Sequence, residues 1–307
     1  MIGAVPLLSA TVVICTRDRP SDLRRAVVSV LRAQGDFQRV LVVDQSRGRE
    51  SEEIVTEISE TDPRLSYLKS HRTGLSVARN LALHAVDTDL VLFTDDDCEV
   101  APDWAETMIM ALSRDAGAGL AFGNVVPAAC DPRDGFIVGY SVLSAARLTG
   151  RLAKCRDGGI GANMAVKVNA ARQIGGFDEV LGAGGYFPSC EDGDFAYRVL
   201  KNHFAILHIV ESTVVHYGLR DWAAGSGLTR QTYMGIGAAY FKHVRGGDAA
   251  AGIVLCQQFA LSVREVLVNL ALRRKPVGFG RLAYLGRGVL RSYEKKVDRS
   301  TGLYVGS

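Results

Sequence analysis

The stretch Asp89-Leu90-Val91-Leu92-Phe93-Thr94-Asp95-Asp96-Asp97-Cys98 decides the fold. Its apolar run has the length of a β-strand, has no polar interruption and ends at three consecutive carboxylates, which is typical of a buried parallel strand. Open α/β sheets bind ligands at the carboxyl ends of such strands. Clustered carboxylates repel one another, so the triplet predicts a site for a hard cation such as Mg²⁺ or Mn²⁺. The alternative interpretation is a solvated acidic turn.

Two earlier segments are predicted to bring further polar residues to the same edge of the sheet. Residues Ala10–Thr16 and residues 40–44 are apolar runs of strand length, and a helix with Ser21 or Asp22 as its N-cap is predicted between them. A strand, a helix and a strand of these lengths form a βαβ unit, which has parallel strands and a right-handed crossover. The carboxyl ends of all three strands should therefore converge.

The remaining elements are predicted from periodicity and from Gly, Pro and capping residues. Helices are predicted at residues 51–58, 74–85, 102–113 and 194–202, and strands at residues 65–68, 205–210 and 214–217. Residues 117–126 predict a strand pair or a strand and a turn, and residues 127–161 support no assignment. The chain lacks the loops G-x-G-x-x-G and G-x-x-x-x-G-K-[ST], which disfavours dehydrogenases and P-loop enzymes. Bound phosphates would then be neutralised by a metal ion and basic side chains.

Charge is distributed unevenly along the chain, although the net charge is +3. Residues 1–220 contain 23 Lys and Arg against 28 Asp and Glu, whereas residues 221–307 contain 13 against 5. An acidic main domain disfavours binding to nucleic acid. The six cysteines include no C-x-x-C pair, which disfavours a zinc module and a disulfide framework. We expect a cytoplasmic protein, because residues 1–10 also lack the basic segment of a signal peptide.

Eight motifs occur in the order that is found in the inverting family 2 glycosyltransferases, which the chain resembles over residues 10–217. The matching residues are Thr16-Arg17-Asp18-Arg19-Pro20, Asp44, Gly74 with Ala78-Arg79-Asn80, Asp95-Asp96-Asp97, Gly161-Ala162-Asn163, Gly175-Gly176-Phe177-Asp178-Glu179, Glu191-Asp192 with Asp194 and Arg198, and His216. The resemblance implies an α/β fold of the GT-A type, which is Rossmann-like, with a mostly parallel sheet flanked by helices. We expect this domain to span residues 8–220 and a helical C-terminal extension to span residues 221–307.

The resemblance also implies a nucleoside-diphosphate sugar as donor, with uridine diphosphate as the expected nucleotide. Residues implied to bind the nucleotide and the donor are Thr16, Arg19, Asp44, Arg79, Asp95 and Asp96. Asp97 and His216 are implied to hold Mg²⁺ or Mn²⁺ against the diphosphate, with Asp95 and Asp97 as the D-x-D pair. Asn163 and Glu191 are implied to lie in loops that face donor and acceptor, and Asp192 to be the general base.

The chemistry of sugar transfer requires these residue types. A metal ion offsets the charge that develops on the departing diphosphate, and a carboxylate takes the proton of the attacking hydroxyl. One base and one displacement give inversion. In the alternative interpretations, Asp192 is an N-cap, although Asp194 suits that position better, and His216 is structural. Two other functions stay open: a non-catalytic nucleotide-sugar-binding subunit, and a nucleotidyltransferase, which would normally have a glycine- and lysine-rich first loop.

The C-terminal extension is predicted to be helical at residues 228–244, 249–272 and 280–296. It contains an apolar stripe and basic residues, which are Arg273, Arg274, Lys275, Arg281, Arg287, Arg291, Lys295 and Lys296. This pattern predicts either attachment to the inner face of an anionic membrane or a solvated helical subdomain that covers the acceptor side or forms an oligomer. Polar residues interrupt the segment 249–272, so no clear membrane span is predicted. The hydroxyl acceptor would be a saccharide, a lipid-linked molecule or a natural product.

Overall fold

The computed structural model of this chain describes residues 6–156, 158–274 and 278–306. Lys275, which belongs to the predicted basic surface, lies outside the described residues. The strands are β1 (Ala10–Thr16), β2 (Arg39–Asp44), β3 (Leu65–Lys69), β4 (Leu90–Asp95), β5 (Cys98–Val100), β6 (Ala118–Pro127), β7 (Phe136–Ile137), β8 (Ala146–Leu148), β9 (Met164–Lys167), β10 (Ala205–His216), β11 (Leu219–Arg220), β12 (Lys296–Val297) and β13 (Tyr304–Val305). The α-helices are α1 (Pro20–Leu31), α2 (Glu50–Ser59), α3 (Leu75–Ala85), α4 (Trp104–Arg114), α5 (Val168–Gln173), α6 (Glu191–Lys201), α7 (Trp222–Arg245), α8 (Ala249–Ala271) and α9 (Gly278–Arg291).

A mixed sheet of nine strands lies at the centre of the described chain. Its order is β3-β2-β1-β4-β9-β6-β10-β5, and β8 pairs with β10. Strands β3, β2, β1 and β4 are parallel to one another, whereas β9 runs antiparallel between β4 and β6. In register, Thr16 lies opposite Asp44 and Cys15 lies opposite Asp95. The predicted convergence of the three strand ends is therefore confirmed, as is the mostly parallel α/β sheet with flanking helices.

Two apolar clusters cover the two faces of this sheet. One contains Val12 and Ile14 with residues of α1 and α4, and the other contains Val13 with residues of α3, α5 and α6. Alternate residues of β1 thus enter opposite clusters, as they must in a strand that is buried on both faces. The apolar runs of the sequence reflect this double burial.

Several boundaries differ from the sequence-based predictions. In the extension, α7 begins at Trp222 and not at residue 228, and α9 ends at Arg291 and not at residue 296. Residues 118–127 form one strand, and residues 205–216 form one strand with a pairing irregularity between His208 and Thr213, so the polar break in the sequence does not end the strand. The N-cap of α1 is Arg19, because Pro20 occupies the first helical position. Helix α6 begins at Glu191 and not at residue 194, and its acidic first turn is favoured by the helix dipole.

The C-terminal helices share a third apolar cluster with the sheet domain. This cluster contains Phe187 and Tyr197 from the main domain together with Ala238, Val254 and Tyr304 from the extension. Helix α7 packs against both α8 and α9. The extension is thus packed onto the domain that carries the sheet, and the division of the chain at residue 220 stays a prediction.

A fully buried network of charges reinforces this contact. The Nζ of Lys242 in α7 lies 2.5 Å from Asp178 Oδ2 and 2.9 Å from Asp194 Oδ1. Asp194 also accepts hydrogen bonds from Arg198 Nε at 2.8 Å and from His243 Nε2 at 2.9 Å. Burial opposes ionisation of Asp194, but Lys242 and Arg198 hold its pKa well below the usual range. The network fixes α6 against α7.

Candidate active site

A cleft of about 700 Å³ opens at the carboxyl ends of β1 and β4. The sheet edge forms one wall, the first turn of α6 forms a second, and helices α7 and α8 contribute a third. Nine of the sequence-predicted site residues line it: Thr16, Arg19, Arg79, Asp95, Asp96, Asp97, Glu191, Asp192 and His216. The structure therefore brings together residues that are as far as 200 positions apart in the sequence.

The three aspartates of the triplet have different partners. Asp96 accepts a hydrogen bond from Thr16 Oγ1 at 2.8 Å, and Arg19 Nη1 lies 3.2 Å from Asp96 Oδ1 and 2.8 Å from Asp97 Oδ2. Burial raises the pKa of Asp96 to about 6, although Arg19 opposes this shift. Burial likewise raises the pKa of Asp95. For Asp97 burial is outweighed by hydrogen bonding to His216, so its pKa is lowered.

His216 is held so that one ring nitrogen faces Asp97. Its Nδ1 lies 2.7 Å from the carbonyl oxygen of Val138, to which it donates, and its Nε2 lies 3.3 Å from Asp97 Oδ1. A backbone carbonyl on the second nitrogen is the usual way in which a metal-binding histidine is oriented. His216 and Asp97 thus present two ligand atoms toward the same point.

The space beside these two atoms fits a cation. A Cβ built on Gly218 would lie 2.7 Å from Asp97 Oδ2 and 2.7 Å from His216 Nε2, so the missing side chain keeps both ligand atoms accessible. The Sγ of Cys98 also lies near them. Burial raises the pKa of that thiol far above its usual range, so it stays protonated and is a poor ligand. The carboxylate and imidazole pair suits Mn²⁺ or Mg²⁺ with further oxygen ligands from phosphates.

Arg79 connects the sheet edge with helix α6. Its guanidinium is 2% exposed, with Nη2 3.5 Å from Asp95 Oδ1 and Nη1 3.3 Å from Glu191 Oε1. A Cβ on Gly161 would lie 2.3 Å from Arg79 Nη2, so a glycine is needed where the backbone passes this side chain. Arg79 thereby fixes the distance between the two carboxylate-bearing walls of the cleft.

The first turn of α6 presents two neighbouring carboxylates. Asp192 Oδ1 accepts a hydrogen bond from the backbone N–H of Gly193 at 2.6 Å, and Oδ2 accepts one from Gly161 N at 3.1 Å. The N-cap position is occupied by Cys190, which has a φ of +69°. Neither Asp192 nor Asp194 is therefore the N-cap, which corrects the capping interpretation. Asp192 is partly accessible from the cleft and has a fixed orientation.

Residues 11–136 match the model of glycosyl transferase family 2. Over this segment, about two fifths of its length, the chain is similar to that family. It is 30% identical over 114 residues to glycosyltransferase GlyA of Streptococcus pneumoniae, which covers 37% of this chain and 16% of that protein. It is 28% identical over 295 residues to the pre-mycofactocin glycosyltransferase of Mycobacterium tuberculosis, which covers 91% of this chain and 56% of that protein. The chain thus spans about half or less of the length of these relatives.

The fold of the chain also matches a solved structure. The mannosyltransferase PcManGT from Pyrobaculum calidifontis, in complex with GDP-mannose and Mn²⁺, superposes with a TM-score of 0.62. The match covers 94% of this chain and 88% of that chain at 15% identity. At this identity the likeness shows the fold alone. It confirms the predicted GT-A architecture, including the presence of a helical C-terminal region.

Two sequence-predicted site residues lie away from the cleft lining. Asp44 is fully buried, and its carboxylate accepts hydrogen bonds from Ser46 N at 2.7 Å, Tyr67 Oη at 2.7 Å and Lys69 Nζ at 3.0 Å. Burial opposes ionisation, but these bonds together lower the pKa of Asp44. The next residue, Gln45, does line the cleft.

Asn163 is also fully buried and anchors the core. Its Oδ1 accepts hydrogen bonds from Trp104 Nε1 at 2.8 Å and from Ser212 Oγ at 3.3 Å, and its Nδ2 donates to the carbonyl oxygens of Asn124 and Ser212. Every polar atom of the side chain is thus engaged. In this arrangement Asn163 positions the loop of Gly161 and Ala162 and does not reach the cleft.

One sequence-based interpretation lets the extension cover the acceptor side, but it identifies none of the residues that line the cleft there. Leu228, Thr232, Ile236 and Tyr240 follow one another at intervals of four residues along α7 and line the cleft together. Gln258 of α8 lines it as well. The four-residue spacing was visible in the sequence, but it is equally typical of a helix face that packs into a core.

Proposed function

We propose that this chain is a metal-dependent inverting glycosyltransferase that moves a sugar from a nucleoside-diphosphate sugar to a hydroxyl acceptor. The observation that carries the proposal is the lining of one cleft by the Asp97–His216 pair on the sheet side and by Asp192 on the helix side. Leaving-group stabilisation and proton removal are the two requirements of such a transfer. Uridine diphosphate is the nucleotide we expect, following the family resemblance.

The donor would lie along the sheet edge. Asp97 and His216 would hold Mg²⁺ or Mn²⁺, which offsets the negative charge that develops on the departing diphosphate. Arg19 is half exposed and contacts Asp96 and Asp97. When a cation binds these carboxylates in its place, Arg19 would be free to bind a diphosphate oxygen. Gln45 and Thr16 would face the nucleoside, because both line the cleft at the ends of β1 and β2.

Asp192 is the proposed general base. Its two backbone hydrogen bonds leave lone pairs on both oxygens for the acceptor hydroxyl, and its partial exposure gives that hydroxyl access. Glu191 is the competing candidate, because burial and the adjacent Asp192 raise its pKa to about 7. We favour Asp192, since Glu191 is 9% exposed and its carboxylate is paired with Arg79. A single displacement with Asp192 as base inverts the anomeric configuration.

The acceptor would enter from the side of the extension. The stripe of Leu228, Thr232, Ile236 and Tyr240 gives that end of the cleft an apolar surface with two hydroxyl groups, and Gln258 adds an amide. Such a surface suits an acceptor that carries its hydroxyl on a partly apolar body. The six free cysteines support the proposed cytoplasmic location, because disulfides are rare in reducing compartments.

The test combines nucleotide binding with turnover. Calorimetry with uridine, guanosine and thymidine diphosphates, each with and without Mn²⁺, should show metal-dependent binding of one nucleotide that Asp97→Asn weakens. Asp192→Asn should retain this binding but lower sugar transfer by roughly 10²–10⁴-fold, the usual contribution of a general base. Asp103→Asn is the matched control and should change neither, because Asp103 is an exposed N-cap residue of α4 whose side chain makes no capping hydrogen bond.

Two results would contradict the proposal. If no nucleotide binds in the presence of metal, the cleft is not a nucleotide-sugar site. If Asp192→Asn leaves turnover unchanged while Glu191→Gln abolishes it, Glu191 is the base. A chain that binds nucleotide sugar with no turnover in wild type and no change in Asp192→Asn would instead be a binding subunit.

A further inference from the structure

Helix α8 presents an apolar face to the outside of the molecule over almost its whole length. The residues of this outer face recur every three or four positions, and all of them are exposed: Ile253, Cys256, Ala260, Val263, Leu267 and Leu270. Leu267 is 61% exposed and Ile253 is 53% exposed. Monomeric proteins seldom leave a contiguous apolar strip of this length in water.

The opposite face of α8 belongs to the folded interior. Ala251, Val254 and Leu255 lie in the cluster that joins the extension to the sheet domain, and Gln258 lines the cleft. By length and composition α8 is apolar enough to cross a membrane, and 28% of its most apolar window is buried. Moving α8 across a bilayer would strip the cleft of one wall. The helix therefore lies on the surface of the domain, with one side packed and one side open.

Positive charge accompanies the outer face. Arg264 lies at its flank, and Arg273 and Arg274 follow the end of the helix; all three are exposed. The one acidic residue of α8, Glu265, forms an ion pair with Arg281 of α9 and contributes no uncompensated charge. A second copy docked through the same face would bring like charges together, whereas an anionic lipid surface would neutralise them.

We propose that the outer face of α8 docks on an anionic membrane surface with the helix axis in the membrane plane. Apolar side chains would enter the boundary between headgroups and acyl chains, and the arginines would contact the headgroups. Gln258 on the opposite side would then place the cleft about 10 Å from the lipid, which is the diameter of a helix. This inference does not depend on the proposed activity, although such a position would suit a lipid-borne hydroxyl acceptor.

Vesicle binding tests the proposal without reference to catalysis. The full chain is sedimented with phosphatidylcholine vesicles that contain or lack phosphatidylserine, and its oligomeric state is measured in parallel by analytical ultracentrifugation. The variant Val263→Glu/Leu267→Glu places two charges on the outer face at exposed positions, so the fold should tolerate it. Leu143→Glu is the matched control, because Leu143 is 94% exposed in a loop of the main domain.

Binding of the wild type to anionic vesicles, abolished in Val263→Glu/Leu267→Glu and unchanged in Leu143→Glu, is the expected result. Arg273→Gln/Arg274→Gln should weaken binding about fivefold for each arginine lost, from the usual contribution of a basic residue near an anionic surface. Equal binding to vesicles with and without phosphatidylserine, or no binding to either, would overturn the proposal. A wild-type dimer that Val263→Glu/Leu267→Glu dissociates would also overturn it and assign the face to a second copy.

Discussion

Replacing Lys242 by Met tests how strongly the C-terminal extension stabilises the domain that carries the site. The side chain of Lys242 is fully buried, and its Nζ contacts two carboxylates that are themselves at most 1% exposed, Asp178 and Asp194. Methionine fills the volume of the lysine stem but supplies no charge. Removing one partner from a buried ion pair usually costs about 3–5 kcal/mol, because a charge is left without compensation.

The remaining contacts place the expected loss near the lower end of this range, at about 3 kcal/mol. Asp194 keeps Arg198 and His243 as partners, whereas Asp178 keeps the backbone N–H groups of Val180 and Tyr304. One carboxylate is thus left uncompensated, not two. The Lys242→Met/Asp178→Asn double variant should recover part of the loss, because it removes that charge.

Equilibrium unfolding in urea measures this prediction. The midpoint should fall while the slope stays unchanged, since the surface exposed on unfolding is the same. Arg24→Met is the control, because it breaks a surface ion pair with Glu57 and should leave the midpoint almost unchanged. If Lys242→Met lowers the free energy of unfolding by less than about 1 kcal/mol, the reasoning is refuted, because the buried ion pairs of Lys242 would then contribute no more than an exposed ion pair does.

Two further predictions concern the cleft. Gly218→Ala should weaken Mn²⁺ binding at least tenfold in calorimetry, because its Cβ would lie 2.7 Å from Asp97 Oδ2 and from His216 Nε2. Gly286→Ala is the control, because a Cβ on Gly286 would lie in open space. Equal Mn²⁺ affinity in both variants would contradict the proposed metal position. Burial raises the pKa of Glu191 from 4.5 to about 7, so the folded chain binds the proton of this carboxyl more tightly than the unfolded chain does. The resulting stabilisation of the folded state is fully present below pH 4.5 and is lost as the pH rises to about 7. Between these pH values the wild type should lose about 3 kcal/mol of unfolding free energy relative to Glu191→Gln, and a difference independent of pH would contradict the shift.

The sequence predicted the parts of the fold that local pattern determines. Strands β1, β2 and β4 are continuous apolar runs, because both of their faces are buried. The last residues of β1 and β4, Thr16 and Asp95, are polar and line the cleft. The start of α6 was missed, since Cys190 enters the helix from a left-handed conformation that no sequence pattern marks. The family resemblance selected nine residues that line one cleft.

Residues fixed by distant contacts could not be predicted from the sequence. Asn163 was expected to face a ligand, but its amide is consumed by Trp104, Ser212 and Asn124, which come from three other segments. Asp194 stood among the family motif residues, but its partner Lys242 lies in the extension, 48 positions later in the chain. An asparagine or a carboxylate has the same appearance in sequence whether it faces a ligand or satisfies a buried group.

The contacts at the site also explain why the second half of the domain is required, although the family model ends at residue 136. Arg79 and Asp97 lie in the matched segment, and their partners Glu191 and His216 lie beyond it. Without those partners, the buried Arg79 would keep a single carboxylate contact at 3.5 Å, to Asp95. Since uncompensated buried charge is strongly destabilising, the sheet edge reaches its observed geometry only when both segments fold together. Arg79 thus ties Asp95 at the sheet edge to Glu191 in the first turn of α6, the turn that also carries Asp192.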